Sequence, residues 1–261
     1  AEGLFDYAFS GPTPLQAAEM AENRYDANDR YRGTLLLANA SFASEPVYLS
    51  LFERRITDED PSVRTAGARG LANHGQGRHI PMLIAALSDE DALVRREAAR
   101  GLQRLHGDEA VGPLLRALKK SLEPERDVRI EAATALGQYP LTTVLDGLIG
   151  ALDDPQLAVN RAALNSLRTL TGQDFGLSRA EWARWQQATA DPFAQRRPYI
   201  YPVFKRGRFL YEYLPFVPQP PNETPGAPTG MPSELRGPAA PENQSENPPA
   251  GPGDGAPDRP R

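Results

Sequence analysis

The stretch "VRREAARGL", residues 94–102, decides the fold because copies of it recur along the chain. "VRTAGARGL" begins at Val63, "VRIEAATAL" at Val128 and "VNRAALNSL" at Val159, and a fainter copy, "YRGTLLLAN", begins at Tyr31. From the first copy to the last, successive starts lie 32, 31, 34 and 31 residues apart. A period of this size is typical of a solenoid, in which each unit buries its apolar face only against its neighbours.

Two columns of the repeated stretch predict how its helices pack. A small residue lies four positions after the opening valine and a leucine lies eight positions after it, so both fall on one helix face. The small residues are Gly67, Ala98, Ala132 and Ala163, and the leucines are Leu71, Leu102, Leu136 and Leu167. A second helix in each unit is indicated by apolar residues at offsets 0, 3, 4 and 7, as at Ile80, Leu83, Ile84 and Leu87. We expect an all-α solenoid of about five helical hairpins, with a curved groove lined by the second helices.

Acidic turns precede the repeated stretch, as in "DEDP" at residues 58–61, and acidic residues there favour the start of the next helix. Together these features resemble the HEAT-like repeats first noted in phycobilin lyases, whose pattern is D-x-x-V-R-x-x-A-x-x-A-L. The resemblance covers residues 26–170 and implies an armadillo-like, right-handed superhelix. With its opening "AEGLFDYAF" and the later "LTGQDFGLSRAEWARW", the chain is also similar to exported bacterial HEAT-repeat proteins, often lipoproteins, of unassigned function.

Four regions are predicted from these patterns. Residues 1–25 form an N-terminal arm, with Leu4, Phe5, Tyr7 and Phe9, and a capping helix that starts at Thr13. Residues 26–190 form the solenoid and a C-terminal capping helix, in which Ser178 and Glu181 make a capping box. Residues 191–217, called the strap below, are rich in aromatic and basic side chains. Residues 218–261 are rich in proline and glycine, and we expect this tail to be disordered.

The strap is the one feature that a solenoid does not require. It either folds back over the repeats, because dense exposed aromatic runs are unfavourable, or it docks a partner protein through Tyr and Arg side chains. Stacking on single-stranded nucleic acid is a third interpretation, disfavoured by the acidic chain. The candidates for partner binding are Tyr199, Tyr201, Phe204, Arg206, Arg208, Phe209, Tyr211 and Tyr213.

A second candidate set is the series Arg32, Arg64, Arg95 and Arg129, which Asn160 interrupts. These arginines either bind an anion or, as we expect, pair with an aspartate or carbonyl of a neighbouring turn and lock one repeat to the next. The histidines His74, His79 and His106 could hold a metal only with an acidic partner such as Asp108, and helix-end stabilisation explains them better. We expect no metal, no cofactor and no catalytic residue.

The amino-acid composition disfavours or excludes several classes of partner and site. The net charge of −5 and the pI near 5.4 argue against nucleic acid as a partner, and no apolar run is long enough to span a membrane. There are no cysteines, which excludes disulfides and a cysteine nucleophile.

We therefore expect a non-enzymatic scaffold or assembly subunit that binds another protein. The alternative, implied only by the resemblance, is a phycobilin-lyase-like enzyme subunit. Because the sequence begins Ala1-Glu2-Gly3, we expect a processed, exported protein of the periplasm or cell envelope, lipid-anchored if a cysteine preceded it, with a cytoplasmic protein as the alternative.

Overall fold

The computed structural model describes residues 12–203 and 224–236, and these residues form a stack of α-helices. Within those ranges the only β feature is an isolated bridge between Leu105 and Thr229. Short 3₁₀ turns lead into the fifth and seventh helices. The helices are α1 (Pro14–Ala21), α2 (Ala27–Ala38), α3 (Pro46–Arg55), α4 (Pro61–His74), α5 (Ile80–Ala86), α6 (Ala92–Gly101), α7 (Val111–Leu118), α8 (Arg126–Leu136), α9 (Thr142–Ala151), α10 (Leu157–Thr171), α11 (Arg179–Ala188) and α12 (Ser233–Arg236).

Side-chain caps define where several helices begin. Thr13 and Gln16 form a reciprocal capping box at α1, where the sequence predicted a helix start. Asp60 accepts hydrogen bonds from the amides of Ser62 and Val63, and Asp26 and Asp91 cap α2 and α6 in the same way. These caps satisfy amides that a helix start leaves without partners.

The helices pair as antiparallel hairpins across the acidic turns. Each odd-numbered helix from α1 to α9 packs on the even-numbered helix that follows it, more extensively than on the one before. This arrangement confirms the predicted solenoid of about five hairpins, with α11 as the C-terminal capping helix. The first hairpin is α1 with α2, so α1 is part of the repeat array rather than a separate element before residue 26.

The two layers of the solenoid are spaced differently. Consecutive even-numbered helices pack closely on one another from α2 to α10, whereas consecutive odd-numbered helices make few mutual contacts. In a curved two-layer stack, the more closely spaced layer lies on the inside of the curve. The even-numbered helices are therefore the inner layer, and the prediction that second helices line the groove is wrong in this respect.

The predicted columns lie at the seams between helices. Leu71, Leu102, Leu136 and Leu167 are fully buried. At Gly67, an added Cβ would stand 2.5 Å from the Ile56 nitrogen and 2.6 Å from the Arg55 carbonyl carbon. The small column thus lets α4 approach the backbone at the end of α3, the other helix of the same hairpin.

The first repeat has a different register from the one expected. Gly33 in α2 lies against the backbone of Ala17 and Ala21 in α1, and Leu37 is buried. These residues occupy the small and leucine columns, so the repeated stretch begins at Asp29 rather than at Tyr31. Measured between N-cap residues 26, 60, 91, 125 and 156, the steps are 34, 31, 34 and 31 residues.

The C-terminal end of the array is closed in both layers. In α11, Trp182 is fully buried, and its indole nitrogen donates to the Gly176 carbonyl at 2.9 Å. This helix packs on α9 of the outer layer. The chain after α11 then crosses α10 of the inner layer, where Gly172 ends the helix with φ of +71°. Of the described helices, none is both long and apolar enough to cross a membrane.

Candidate interaction surface

An arginine near the start of each inner helix from α2 to α8 joins two repeats. Arg64 donates through Nε and Nη2 to the two carboxylate oxygens of Asp89, at 2.8 and 2.9 Å. Its Nη1 donates to the carbonyls of Asp58 and Glu59 in the preceding turn, at 3.1 and 3.0 Å. One guanidinium therefore caps its own turn and holds the carboxylate of the next, using the bidentate geometry that Arg and carboxylate share.

The same geometry recurs along the solenoid. Arg95 donates to Glu123 at 2.7 and 3.0 Å, and Arg129 donates to Asp154 at 2.9 and 3.2 Å. Each carboxylate also accepts a backbone amide two residues later, as Asp89 does from Asp91 at 2.9 Å. We call this series the arginine ladder, and the structure places it in buried contacts between repeats.

Arg32 is not a member of the ladder. Arg30 holds the first position, donating to Asp58 at 3.0 and 2.9 Å and to the carbonyls of Asn23 and Arg24. The Arg30 and Asp58 side chains are 6% and 8% exposed, whereas Arg32 is an exposed residue. The physical reason is the register, because Arg30 follows its N-cap Asp26 by four residues, as Arg64 follows Asp60.

The last position of the ladder is occupied by Asn160, whose side chain is neutral. It occupies the position of the arginine in α10, and its side-chain nitrogen donates to the carbonyls of Ala151, Leu152 and Asp154 at 3.0, 2.7 and 2.9 Å. It therefore caps the preceding turn but pairs with no carboxylate in the described part of the chain.

The ladder leaves its arginines no capacity for an outside anion. The pKa values of Arg30, Arg64 and Arg95 are raised, chiefly by hydrogen bonds to their carboxylates. Burial alone would raise the pKa of Asp58, but the hydrogen bonds from Arg30 and the Asp60 amide outweigh it, so that pKa is lowered. These arginines and carboxylates are mutually neutralising structural groups.

The beginning of the strap crosses the end of the inner layer as extended chain. The Arg197 amide donates to the Thr169 carbonyl at 2.7 Å, and Phe193 packs against the core. Gly172 lies directly beneath the strap, where a Cβ would collide with the Gln195 carbonyl. A residue without a side chain is therefore needed at that crossing.

Tyr199 is buried against its own solenoid. Its side chain is only 6% exposed, and burial, with Tyr139 and Glu131 nearby, raises its pKa well above the ordinary value. Its hydroxyl is inaccessible and has no hydrogen-bond partner among the described residues. The candidate assignment of Tyr199 to partner binding is therefore corrected, because this part of the strap packs on its own solenoid.

Tyr201 lies further along the inner layer. Its ring centroid is 5.0 Å from the Arg104 guanidinium carbon at the end of α6, a cation–π geometry, and its amide donates to the Gly226 carbonyl at 3.1 Å. The remaining strap candidates, namely Phe204, Arg206, Arg208, Phe209, Tyr211 and Tyr213, lie outside the described residues, as do Leu4, Phe5, Tyr7 and Phe9 of the N-terminal arm.

Part of the predicted disordered tail is ordered. The Thr229 amide donates to the Arg104 carbonyl at 2.7 Å, and the His106 amide donates to the Thr229 carbonyl at 2.9 Å. Met231 is 1% exposed. For residues 224–236 the prediction of disorder is wrong, because carbonyl and amide groups at the end of α6 give a proline- and glycine-rich segment backbone partners.

The three histidines have separate structural roles. His74 contacts the Ala38 carbonyl at 3.0 Å, His79 contacts Glu53 at 2.9 Å, and His106 contacts the Gln138 side chain at 2.9 Å. Across residues 12–203 and 224–236, no group of three potential metal-ligating side chains comes together.

Two parts of this surface were missed by reasoning from the sequence. Arg30 could have been found, because Gly33 and Leu37 repeat the two packing columns at the correct spacing from Asp29. The docking of residues 224–231 carries no comparable signal, since its contacts are backbone hydrogen bonds that any non-proline residue can make.

The fold and the ladder define an α-solenoid, and residues 49–126 match the family model for HEAT repeats. A designed armadillo repeat protein is 15% identical, with 70% of this chain and 95% of that chain covered at a TM-score of 0.50. A second one, solved in complex with the peptide (KR)4, is 18% identical, with coverage of 68% and 90% and a TM-score of 0.50. At these identities the likeness establishes the fold alone.

The complex of CpcE and CpcF of phycocyanin lyase from Nostoc sp. PCC7120 is also similar, at 19% identity. The match covers 66% of this chain and 81% of that chain. Its TM-score of 0.40 is too low to support an inference about bilin chemistry. No curated protein matches the sequence.

Proposed function

We propose that this protein is a non-enzymatic scaffold whose inner layer binds an extended segment of a partner protein. One observation carries the proposal: the inner layer already accommodates extended polypeptide from its own chain. Residues 197–201 lie against α10 and residues 226–229 lie against the turn that follows α6, with backbone hydrogen bonds at Thr169, Arg104 and His106. A surface that binds one extended segment through backbone groups has the chemistry to bind another of similar form.

The distribution of charge supports a binding role. The buried charges of the described turns are paired in the arginine ladder, so those groups hold repeats together. Arg96 and Thr134 on the inner layer remain partly exposed. Binding at such a surface depends on shape and on a few anchoring side chains.

The test is site-specific photo-crosslinking of the full chain in its native cells. A photoreactive amino acid replaces Thr134 on the inner layer or, as the matched control, Ala85 on the exposed outer face of α5. We expect one predominant protein adduct from position 134 and none from position 85. Equal labelling from both positions, or adducts from position 85 alone, would contradict binding at the inner layer.

A further inference from the structure

A cavity of about 540 Å³ lies where α8, α10 and the strap meet. Its size is typical of sites that hold a small molecule or a few residues of a peptide. The helices contribute Ile130, Leu157 and Arg161, and the strap contributes Tyr199, Ile200 and Pro202. The cavity therefore exists only when the strap lies on the inner layer.

The walls of this cavity combine apolar side chains with four neutral polar ones, Thr134, Asn165, Ser166 and Thr169, and one charged group. Leu157 and Ile200 are 50% and 56% exposed, so both offer apolar surface at the cavity mouth. Arg161 is the single charged residue among the described residues that line it. No carboxylate in the described part of the chain forms an ion pair with Arg161, in contrast to the arginines of the ladder.

These features define the chemistry of an occupant. An exposed, unpaired guanidinium favours a carboxylate, which it can bind through two parallel hydrogen bonds. The neighbouring aliphatic and aromatic walls favour an apolar side chain next to that carboxylate. Other described cavities differ, because the one over Arg95 also contains Asp89 and Glu123, and the one between α7 and α9 contains both lysines and aspartates.

We propose that this cavity binds a partner peptide in which an aspartate or glutamate adjoins a large apolar residue. The carboxylate pairs with Arg161, and the apolar side chain lies between Leu157 and Ile200. This proposal rests on the proposed scaffold function and adds to it a location and a sequence class for the partner. It also couples binding to the strap, because the strap forms one wall of the site.

The experiment measures fluorescence anisotropy with the full chain and a labelled octapeptide, Gly-Ser-Leu-Phe-Asp-Leu-Gly-Ser. Its comparison peptide replaces the aspartate with asparagine. Because an ion pair at an exposed arginine contributes roughly 0.2–1 kcal/mol, we expect the acidic peptide to bind up to about fivefold more tightly. Arg161→Gln should remove that preference, and Ala158→Trp should fill the cavity and weaken both peptides.

The matched control is Arg184→Gln, which removes an exposed arginine of α11 outside the cavity. It should leave the preference unchanged, and circular dichroism should show that all variants are folded. Absence of saturable binding to the acidic peptide, or a preference that survives Arg161→Gln, overturns the proposal. Self-association that Arg161→Gln abolishes, without peptide binding, would assign the cavity to a second copy of this chain and would also overturn it.

The two proposals can fail separately. If crosslinks from position 134 persist while the peptides do not bind, the scaffold function stands and the acidic peptide class is wrong. If neither is observed, the inner layer is not the binding surface.

Discussion

At the scale of single residues, the main finding is that the charges of the arginine ladder lie in the interior, between repeats. The Arg129 and Asp154 side chains are 2% and 5% exposed, and each makes several hydrogen bonds. A buried ion pair is close to neutral for stability, since desolvation opposes the attraction, but removing one partner leaves the other charge buried and unpaired. The ladder is therefore weak evidence of extra stability and strong evidence of a required register.

Substitution of Arg30 and Arg32 tests this register directly. Arg30→Gln should lower the free energy of unfolding by up to about 3 kcal/mol, because two carbonyls lose a donor and Asp58 keeps only the Asp60 amide and Arg55, at 3.7 Å. Arg32→Gln, at an exposed position, should change it by no more than about 0.5 kcal/mol. Urea unfolding followed by circular dichroism measures both variants. Equal effects, or a larger effect at Arg32, would restore the register expected from the sequence.

At the scale of helices, the period predicted the number of hairpins but not which helices pair. The boundary of a two-helix repeat can be placed at either of its two connections, and both assignments give the same apolar columns. The pairing is decided by contacts across the acidic turns, which place α3 on α4 rather than on α2. For the same reason the sequence located the columns correctly and assigned the groove to the wrong layer.

The small column provides a test at this scale. In a helix, alanine is normally favoured over glycine by about 1 kcal/mol. At Gly67 that order should reverse, because a Cβ would stand 2.5 Å from the Ile56 nitrogen and α3 would have to move away from α4. At Gly150 in α9, where a Cβ would meet nothing within 4 Å, alanine should stabilise by about 0.5–1 kcal/mol. Thermal unfolding of Gly67→Ala and Gly150→Ala measures the contrast, and stabilisation at both sites would refute the close approach.

At the scale of the whole molecule, the C-terminal end of the solenoid is closed by two different devices. The helix α11 covers the outer layer through Trp182, while extended chain covers the inner layer at α10. The sequence showed that the strap is rich in aromatic residues. It did not show whether the strap packs on its own solenoid or on a partner. The packing of the strap depends on the positions of Thr169, Gly172 and Arg104 in space, and no sequence pattern predicts those positions.

Truncation after residue 190 removes the strap together with the docked residues 224–236, and so tests their joint role at this scale. Loss of the buried Tyr199 and partly buried Phe193 should lower stability by about 2–5 kcal/mol while the helical circular dichroism signal of α1 to α11 persists. Hydrogen exchange should become faster in α10. In α2, at the other end, exchange by local opening should be unchanged because repeat units contact only their neighbours. Loss of most helical signal would mean that the strap is essential for folding.

The neutral side chain of Asn160 has a consequence for assembly. Stacked repeats have open ends, and an exposed final unit of the same kind as the others could accept the first unit of a second molecule and begin a filament. Here the last inner helix presents an amide that is already bound to three carbonyls of its own turn. At the position of Asn160 an incoming acidic turn would meet an amide instead of a guanidinium, so we expect Asn160 to disfavour end-to-end polymerisation.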